Sequence, residues 1–288
     1  MSAPSFTPQL RPLAVGEMLD AGFRLFGARF GTLIACVLVP VVPLTIVATG
    51  LQASVDPNAF DLDSTSQADS GTALAGTLVA ALIQFAAAAL AIAACFKAIS
   101  AAYLGERAGA AESLRYALGR MLPLCVAYIV VIFLVVVGLI FLIVPGIWLA
   151  VKLSMVFPAV VFERRNAFTA VGRSWGLTSG HWWRTFRTLA VVFLITFVAQ
   201  LVLGGVVGGI LGASDASELT TAVVLTLVNV ITLALTYPLW AAVTTVLYYD
   251  LRVRSEGFDL QLLAQGMGAD ASRFESAPER PVAPPPEG

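Results

Sequence analysis

Six long apolar runs alternate with polar segments along this chain. The runs cover residues 31–53, 74–96, 122–144, 147–162, 189–211 and 219–249. A helix needs about 20 apolar residues to cross the roughly 30 Å hydrocarbon core of a bilayer, because it rises about 1.5 Å per residue. The pattern therefore predicts an all-α, polytopic membrane bundle with about six transmembrane helices.

The third and fourth runs are separated only by Pro145 and Gly146. One continuous helix through both runs would be roughly 60 Å long, about twice the thickness of the hydrocarbon core. Proline stops a helix and glycine permits a tight reversal, so we expect a helical hairpin here. The six spans then form three hairpins.

A short amphipathic segment precedes each predicted hairpin. The bulky apolar faces are Leu19, Phe23, Phe26 and Phe30 in the first segment, Leu114, Ala117, Leu118 and Met121 in the second, and Phe168, Val171 and Trp175 in the third. In the first segment Asp20 and Arg24 are spaced to pair at i,i+4. Apolar residues at helical spacing opposite a polar face predict interfacial helices on the cytoplasmic side.

The ends of the second, fourth and sixth spans share an aromatic residue, then an acid, then an arginine. These sets are Tyr103, Glu106 and Arg107; Phe162, Glu163 and Arg164; and Tyr249, Asp250 and Arg252. They suggest three parallel units, each an interfacial helix followed by a hairpin, and parallel repeats recur in membrane proteins. The alternative is that aromatic and basic residues simply mark the inner membrane interface, as they do in many membrane proteins.

The distribution of charge predicts the orientation. Of the 17 basic residues, 16 lie in the N-terminal segment, in 97–121, in 163–188 or in the C-terminal tail, while the segments 51–71 and 212–218 carry only acids. Because positive charge resists translocation, both termini are expected in the cytoplasm. Two lysines against fifteen arginines are typical of a high-GC bacterial genome, so the expected location is a bacterial inner membrane.

We expect three regions along the chain. Residues 1–30 form a cytoplasmic N-terminal segment with an amphipathic interfacial helix, 31–250 form the six-helix membrane domain, and 251–288 form a cytoplasmic tail. The tail is expected to be disordered from about residue 268, because proline and charged residues predominate towards its end.

Lys152 is the one ionisable residue well inside a predicted span, and no Asp or Glu lies within a span to neutralise it. A charge within the membrane is costly unless it is paired or hydrated, which makes Lys152 a candidate for an intramembrane binding site. Three polar residues within spans, Gln84, Gln200 and Asn229, could complete that site. Alternatively, the long side chain of Lys152 extends to the nearby outer interface.

A basic, tryptophan-rich loop follows the fourth span. We treat seven of its residues as candidates for binding lipid headgroups: Arg164, Arg165, Arg173, Arg184, Arg187, Trp182 and Trp183. Each cation near an anionic leaflet contributes about 1 kcal/mol of attraction. The alternative is ordinary topology anchoring by arginine and tryptophan.

No combination of residues in the chain suggests catalysis. There is a single histidine, and no spacing of His, Cys, Asp or Glu resembles a metal or nucleophile site. Cys36, Cys95 and Cys125 lie in apolar runs, where small buried filler is the simplest role. We therefore expect no enzyme activity, no metal and no cofactor.

Four strings resemble the glycerophosphoryl diester phosphodiesterase membrane-domain family. They are GEMLDAGFRLF at 16–26, VPGIW at 144–148, RSWGLTSGHWW at 173–183, and YYDLRVR at 248–254 with EGFDL at 256–260. The resemblance implies a stand-alone membrane module. It does not imply the activity in the family name, which belongs to a soluble barrel built around a metal with acids and histidines.

These observations predict a non-catalytic membrane module that binds lipid or a partner protein in bacterial envelope organisation. The expected partners are membrane lipids with anionic headgroups and other membrane proteins, and no nucleic acid. The alternative is a transporter or flippase-like protein for a small anionic or amphiphilic substrate. Lys152, the polar residues within the spans and the prolines there favour that alternative.

Overall fold

The structure is a computed structural model that describes residues 13–55, 71–106, 108–214 and 217–257. All regular elements in these residues are α-helices, in the order α1 (Val15–Ala28), α2 (Phe30–Val55), α3 (Gly71–Tyr103), α4 (Ala110–Gly119), α5 (Met121–Phe141), α6 (Ile143–Leu153), α7 (Val156–Phe162), α8 (Ala167–Thr178), α9 (Trp182–Gly212) and α10 (Glu218–Glu256). The predicted disordered tail, the aspartates of 56–70, Arg107 and Asp215 lie outside the described residues.

Six helical stretches in the described residues are long and apolar enough to cross a membrane. They are α2, α3, α5, α6 with α7, α9 and α10. The prediction of a polytopic helical bundle with six spans is therefore confirmed. Several helices are longer than their apolar runs, because α3 continues to Tyr103, α9 begins at Trp182 and α10 reaches Glu256.

The hairpin between the third and fourth spans turns at Leu142 and not at Pro145 and Gly146. Leu142 has extended backbone angles, with φ −170° and ψ 151°, between the end of α5 and the start of α6. Pro145 therefore lies in the first turn of α6, where its missing N–H has no helical partner to lose. Gly146 instead permits close packing, because a Cβ there would lie 2.9 Å from the Cα of Leu139.

The fourth span is broken in its middle. Helix α6 ends at Leu153 and α7 begins at Val156. Pro158, in the first turn of α7, cannot donate to the carbonyl four residues earlier and would clash with it. Pro40, Pro43 and Pro238, which lie in the first and last spans, are inside continuous helices.

The three short helices close the bundle into a ring. Helix α4 packs on α3, α8 packs on α7, and α1 packs on α10, so each short helix lies against the span that ends the preceding unit. At the closing contact, a Cβ on Gly22 would lie 2.7 Å from Cγ2 of Val243, so only glycine allows this approach. This cyclic arrangement supports three parallel units.

The aromatic residues of the three repeated sets meet at one end of the bundle. The rings of Tyr103 and Tyr249 stack at 5.0 Å, and those of Phe162 and Tyr249 at 5.7 Å, with 10° between the planes in both pairs. We call this three-ring cluster the aromatic stack. The end of the bundle that carries it, together with α1, α4 and α8, is called the basic end below.

The short helices pack through small residues and not through their bulky faces. Gly22, Ala117 and Ala170 are fully or almost fully buried, whereas Phe23 and Phe168 are 44% and 73% exposed. The bulky faces of α1 and α8 are therefore left free to contact lipid. Lipid tails are as apolar as leucine, so helices in a membrane gain most from close contacts between small residues.

Helix α9 carries the least buried span among the described residues. Its glycines at positions 204, 205, 208, 209 and 212 have no atom of another segment within 4 Å of where a Cβ would lie. They do not mediate packing within the described part of the chain.

Candidate functional site: the basic end and a polar cavity

Glu163 is the centre of the first ion cluster at the basic end. Its carboxylate accepts hydrogen bonds from Arg173 at 2.7 Å, from Arg165 at 2.6 Å and from the Tyr248 hydroxyl at 2.5 Å. Burial alone raises the pKa of Glu163, but the hydrogen bonds from its three partners outweigh burial and lower that pKa to about 2. Arg173 also pairs with Glu256, so the cluster joins α7, α8 and α10.

Asp250 is the centre of the second ion cluster. Its side chain is 0% exposed and accepts hydrogen bonds from Arg184 at 2.9 Å, Arg254 at 3.0 Å and the Leu13 N–H at 2.8 Å. Arg184 and Arg254 both donate to the Leu13 carbonyl as well. A buried carboxylate is tolerated only with such partners, and here they fasten the segment before α1 to α9 and α10.

These clusters divide the predicted headgroup arginines into two groups. Arg165, Arg173 and Arg184 are held in ion pairs with acids of the same chain. Arg164 and Arg187 form no ion pair with any described residue. The predicted tryptophans lie at the start of α9, where Trp182 stacks on Phe186 at 5.2 Å with 5° between the planes and Trp183 is 68% exposed.

Arg164 and Lys97 converge on one small cavity at the basic end. Lys97 Nζ lies 5.5 Å and Arg164 Cζ 5.7 Å from the centre of the Tyr116 ring, a distance at which a cation is attracted to an aromatic face. The cavity has a volume of about 200 Å³ and is also lined by Glu106 and Tyr249. We call it the Lys97–Arg164 cavity. With two cations and one acid, its lining is net positive.

The backbone beside this cavity is fixed by helix α4. Tyr116 donates to the Val161 carbonyl at 2.6 Å and Arg120 to the Val160 carbonyl at 3.1 Å, so α4 caps the free carbonyls at the end of α7. Arg164 follows with φ +52°, a left-handed conformation that is unfavourable for a residue with a side chain. Strain of this kind often occurs at binding sites.

Lys152 lies away from this cavity, beside helix α8. It is 7% exposed, donates to the Ser179 hydroxyl at 3.1 Å, and its Nζ lies 5.7 Å from the Trp148 ring and 5.3 Å from the Trp175 ring. These contacts stabilise a cation within a span without an acid.

The other candidates for the intramembrane site are separated from Lys152. Gln84 and Asn229 line a cavity of about 600 Å³ between α2, α3 and α10, whereas Lys152 and Gln200 are not among its lining residues. Gln200 is exposed on α9. The structure thus brings together two of the four candidates, and we call their cavity the Gln84–Asn229 cavity.

Two residues of these sites were missed in the sequence. Lys97 was counted only as a topology charge, although its place just beyond an apolar run, six residues before Tyr103, puts it on the side of a span. Ser174 was not singled out, yet it bonds the broken fourth span. Ser174 could have been found from the face of α8 that carries small residues, because small polar residues often lie in packed membrane interfaces.

Comparison with known families agrees with this architecture. The membrane domain of glycerophosphoryl diester phosphodiesterase matches residues 126–279, which is more than half of the chain and runs from within α5 to beyond the end of α10. The first resembling string, at 16–26, lies outside the matched range. No curated protein and no solved structure shows significant similarity to the chain. The chain is a multi-pass membrane protein and belongs to the family of the membrane domain of glycerophosphoryl diester phosphodiesterase.

Proposed function

We propose that this protein is a non-catalytic membrane module that binds anionic lipid headgroups at its basic end. The observation that carries the proposal is the Lys97–Arg164 cavity, where two cations without an acidic partner among the described residues flank the same tyrosine ring. A phosphate is small enough for such a cavity, and arginine and lysine are the usual phosphate-binding side chains. The family match concerns a membrane domain, which supports the membrane-module part of the proposal.

The surroundings of the cavity suit a headgroup. The cavity includes Tyr249 of the aromatic stack, and tyrosine rings favour the headgroup level of a membrane. Phe23 on α1 and Phe168 on α8 are exposed beside polar residues. Helices with an apolar face on one side and a polar face on the other lie at the boundary between headgroups and acyl chains. A lipid phosphate at this level would reach Lys97 and Arg164 without entering the hydrocarbon core.

Native mass spectrometry of the purified protein tests the proposal. The detergent-solubilised protein is given equal amounts of phosphatidylglycerol and phosphatidylcholine, and retention of each lipid is compared for wild type, Lys97→Gln and Arg164→Gln. Loss of one cation near a phosphate removes about 1 kcal/mol, so each variant should retain roughly fivefold less phosphatidylglycerol.

Arg24→Gln is the matched control. It removes the same charge from α1 at the basic end, but Arg24 is paired with Asp20 and highly exposed. Phosphatidylglycerol retention by this control should equal that of wild type. The proposal is wrong if wild type retains both lipids equally, or if all three variants lose phosphatidylglycerol to the same extent.

We also propose that the basic end faces the cytoplasm of a bacterial cell, with both termini inside, and that the protein acts in envelope organisation with lipids and other membrane proteins. The concentration of basic residues supports the orientation. An impermeant thiol reagent tests it in a variant without Cys36, Cys95 and Cys125.

The positions for labelling are chosen by the exposure of their side chains. Thr169 on α8 and Ser214 after α9 are both exposed, whereas Ser174 is fully buried and would not react on either side. A cysteine at 214 should react in whole cells, and one at 169 only after permeabilisation. The reverse pattern would overturn the orientation.

A further inference from the structure

The Gln84–Asn229 cavity has a polar but uncharged lining. It lies between α2, α3 and α10, and its hydrogen-bonding residues are Thr45, Thr49, Gln52, Gln84, Thr226, Asn229 and Tyr237. No Asp, Glu, Lys or Arg is among its lining residues. An ion in this cavity would lack a counter-charge, so the lining selects against charged ligands.

Most of these polar groups have no hydrogen-bond partner among the described residues. Thr45 donates to Oε1 of Gln84 at 3.2 Å, which fixes that amide and leaves its amino group as a free donor. The side chains of Gln52, Asn229 and Tyr237 form no hydrogen bond with any other described residue. Unpaired polar groups at membrane depth are unfavourable, so a polar occupant that pairs with these side chains would stabilise the cavity.

The cavity lies far from the basic end. Tyr237 precedes Tyr249 of the aromatic stack by twelve residues, and Gln84 precedes Tyr103 by nineteen. At about 1.5 Å per residue these positions lie roughly 18 Å and 28 Å from the stack along their helices. With a hydrocarbon core of about 30 Å, the cavity extends from the middle of the membrane towards the headgroups of the opposite leaflet.

We propose that this cavity binds an uncharged, hydroxyl-bearing group, such as the sugar or glycerol headgroup of a neutral lipid in the leaflet opposite the basic end. Hydroxyls donate and accept at once, and so match a lining of amides and hydroxyls that does both. Val41, Ala87 and Leu233 provide apolar surface beside these groups for the carbon skeleton of the headgroup. The site is separate from the Lys97–Arg164 cavity and does not depend on it.

Two probes distinguish a lipid from a free polyol. Full-length protein in detergent is mixed with monoglucosyl dioleoylglycerol or with glucose, and the retained mass is measured by native mass spectrometry. Wild type is compared with Asn229→Leu and Gln84→Met, which keep the side-chain size but remove hydrogen bonds. Gln200→Leu is the matched control, because it removes the same kind of polar side chain from a span outside the cavity.

Wild type should retain one glucolipid, and each cavity variant should retain about tenfold less, the effect expected for losing one or two hydrogen bonds. Gln200→Leu, Lys97→Gln and Arg164→Gln should retain as much glucolipid as wild type. Retention of glucose but not of the glucolipid would support binding of hydroxyl groups and would identify the ligand as a free polyol.

The proposal is overturned if neither probe is retained. It is also overturned if the Asn229 and Gln84 variants retain as much glucolipid as Gln200→Leu, or if phosphatidylglycerol binds with the same dependence on Asn229. Thermal unfolding of each variant identifies one that fails to fold. Asn229→Leu and Gln84→Met then provide two independent tests of the same site.

Discussion

The hydroxyl of Ser174 holds together the two helices of the broken fourth span, so Ser174→Ala should be strongly destabilising. Ser174 Oγ donates to the Lys152 carbonyl at 2.6 Å and accepts the Met155 N–H at 3.1 Å. The break before α7 deprives both groups of helical partners. Among the described residues, Thr178 offers a replacement for the Lys152 carbonyl alone, with a contact of 3.5 Å.

The expected loss of stability follows from these two bonds. An unsatisfied buried backbone group costs about 1–3 kcal/mol, while hydrogen bonds between membrane helices contribute about 0.6 kcal/mol on average. Because Ser174 is fully buried and alanine removes both bonds at once, we expect the free energy of unfolding to fall by about 2 kcal/mol. The change adds no bulk and leaves only a small cavity, so lost hydrogen bonding dominates.

Unfolding in sodium dodecyl sulfate, followed by tryptophan fluorescence, measures this change. Trp148 and Trp175 contact each other at 5.1 Å beside Lys152, so their emission reports separation of α6 from α8. Ser154→Ala is the matched control, because the Ser154 hydroxyl bonds only to the Val151 carbonyl one turn earlier. That loss should stay within about 0.5 kcal/mol.

A Ser174→Ala variant that unfolds within about 0.5 kcal/mol of wild type would refute the reasoning. It would mean that the Lys152 carbonyl and the Met155 N–H, at the break between α6 and α7, find other hydrogen-bond partners. A large effect of Ser154→Ala with a small one of Ser174→Ala would refute it equally, because the local bond would then be the one that matters.

Two further variants test the ion cluster and the hairpin. The pKa of Glu163 is lowered from 4.5 to about 2, so its ionised form contributes stability that is present above pH 4.5 and lost as the pH falls through about 2. The difference in melting temperature between wild type and Glu163→Gln should therefore be largest above pH 4.5 and disappear near pH 2; a difference that does not change with pH contradicts this. Gly146→Ala should cost about 1–3 kcal/mol in detergent unfolding, because its Cβ would meet the backbone of Leu139. Gly208→Ala, with open space around it, should cause no loss, and equal losses in both would contradict the packing argument.

The number of spans could be predicted from the sequence, because it follows from hydrophobic length alone. The turn at Leu142 could not. Pro145 is compatible with either a helix end or the first turn of a helix, and the sequence does not distinguish them. The close approach of Gly146 to Leu139 decides between the two, and such a contact depends on the packing of both helices.

The packed faces of the short helices could not be predicted from the sequence, for a related reason. Phe23 and Phe168 would mark the buried face of a helix in water, but burial is not the main gain for an apolar side chain that is already in lipid. Small residues such as Gly22 and Ser174 then form the contacts. The hydrophobic stripe of such a helix therefore marks its lipid-facing side and not its packed side.

Charges were the least predictable part of the candidate sites. Arg165, Arg173 and Arg184 looked like a patch that binds headgroups, but acids of the same chain pair with them. Glu163 pairs with Arg165, two residues away, and with Arg173, ten residues away, and Asp250 pairs with Arg184 from 66 residues away. Sequence spacing reveals partners three or four residues apart on one helix and not those brought together by a fold. Arg164 stayed a candidate, while its companion Lys97 became visible only once α4 was placed against α3.

The three-unit ring provides an independent argument for the Lys97–Arg164 cavity. Each short helix meets the preceding span at one of three equivalent junctions. Acids anchor two of these junctions, Glu163 pairing with Arg173 on α8 and Asp250 accepting from the Leu13 N–H before α1. At the third junction, between α3 and α4, the described residues form no such ion pair, and a net positive cavity lies there instead.

An anionic headgroup in this cavity would supply the negative charge that Glu163 and Asp250 supply elsewhere. Binding should then stabilise the packing of α4 on α3, so phosphatidylglycerol should raise the melting temperature of wild type more than that of Arg164→Gln.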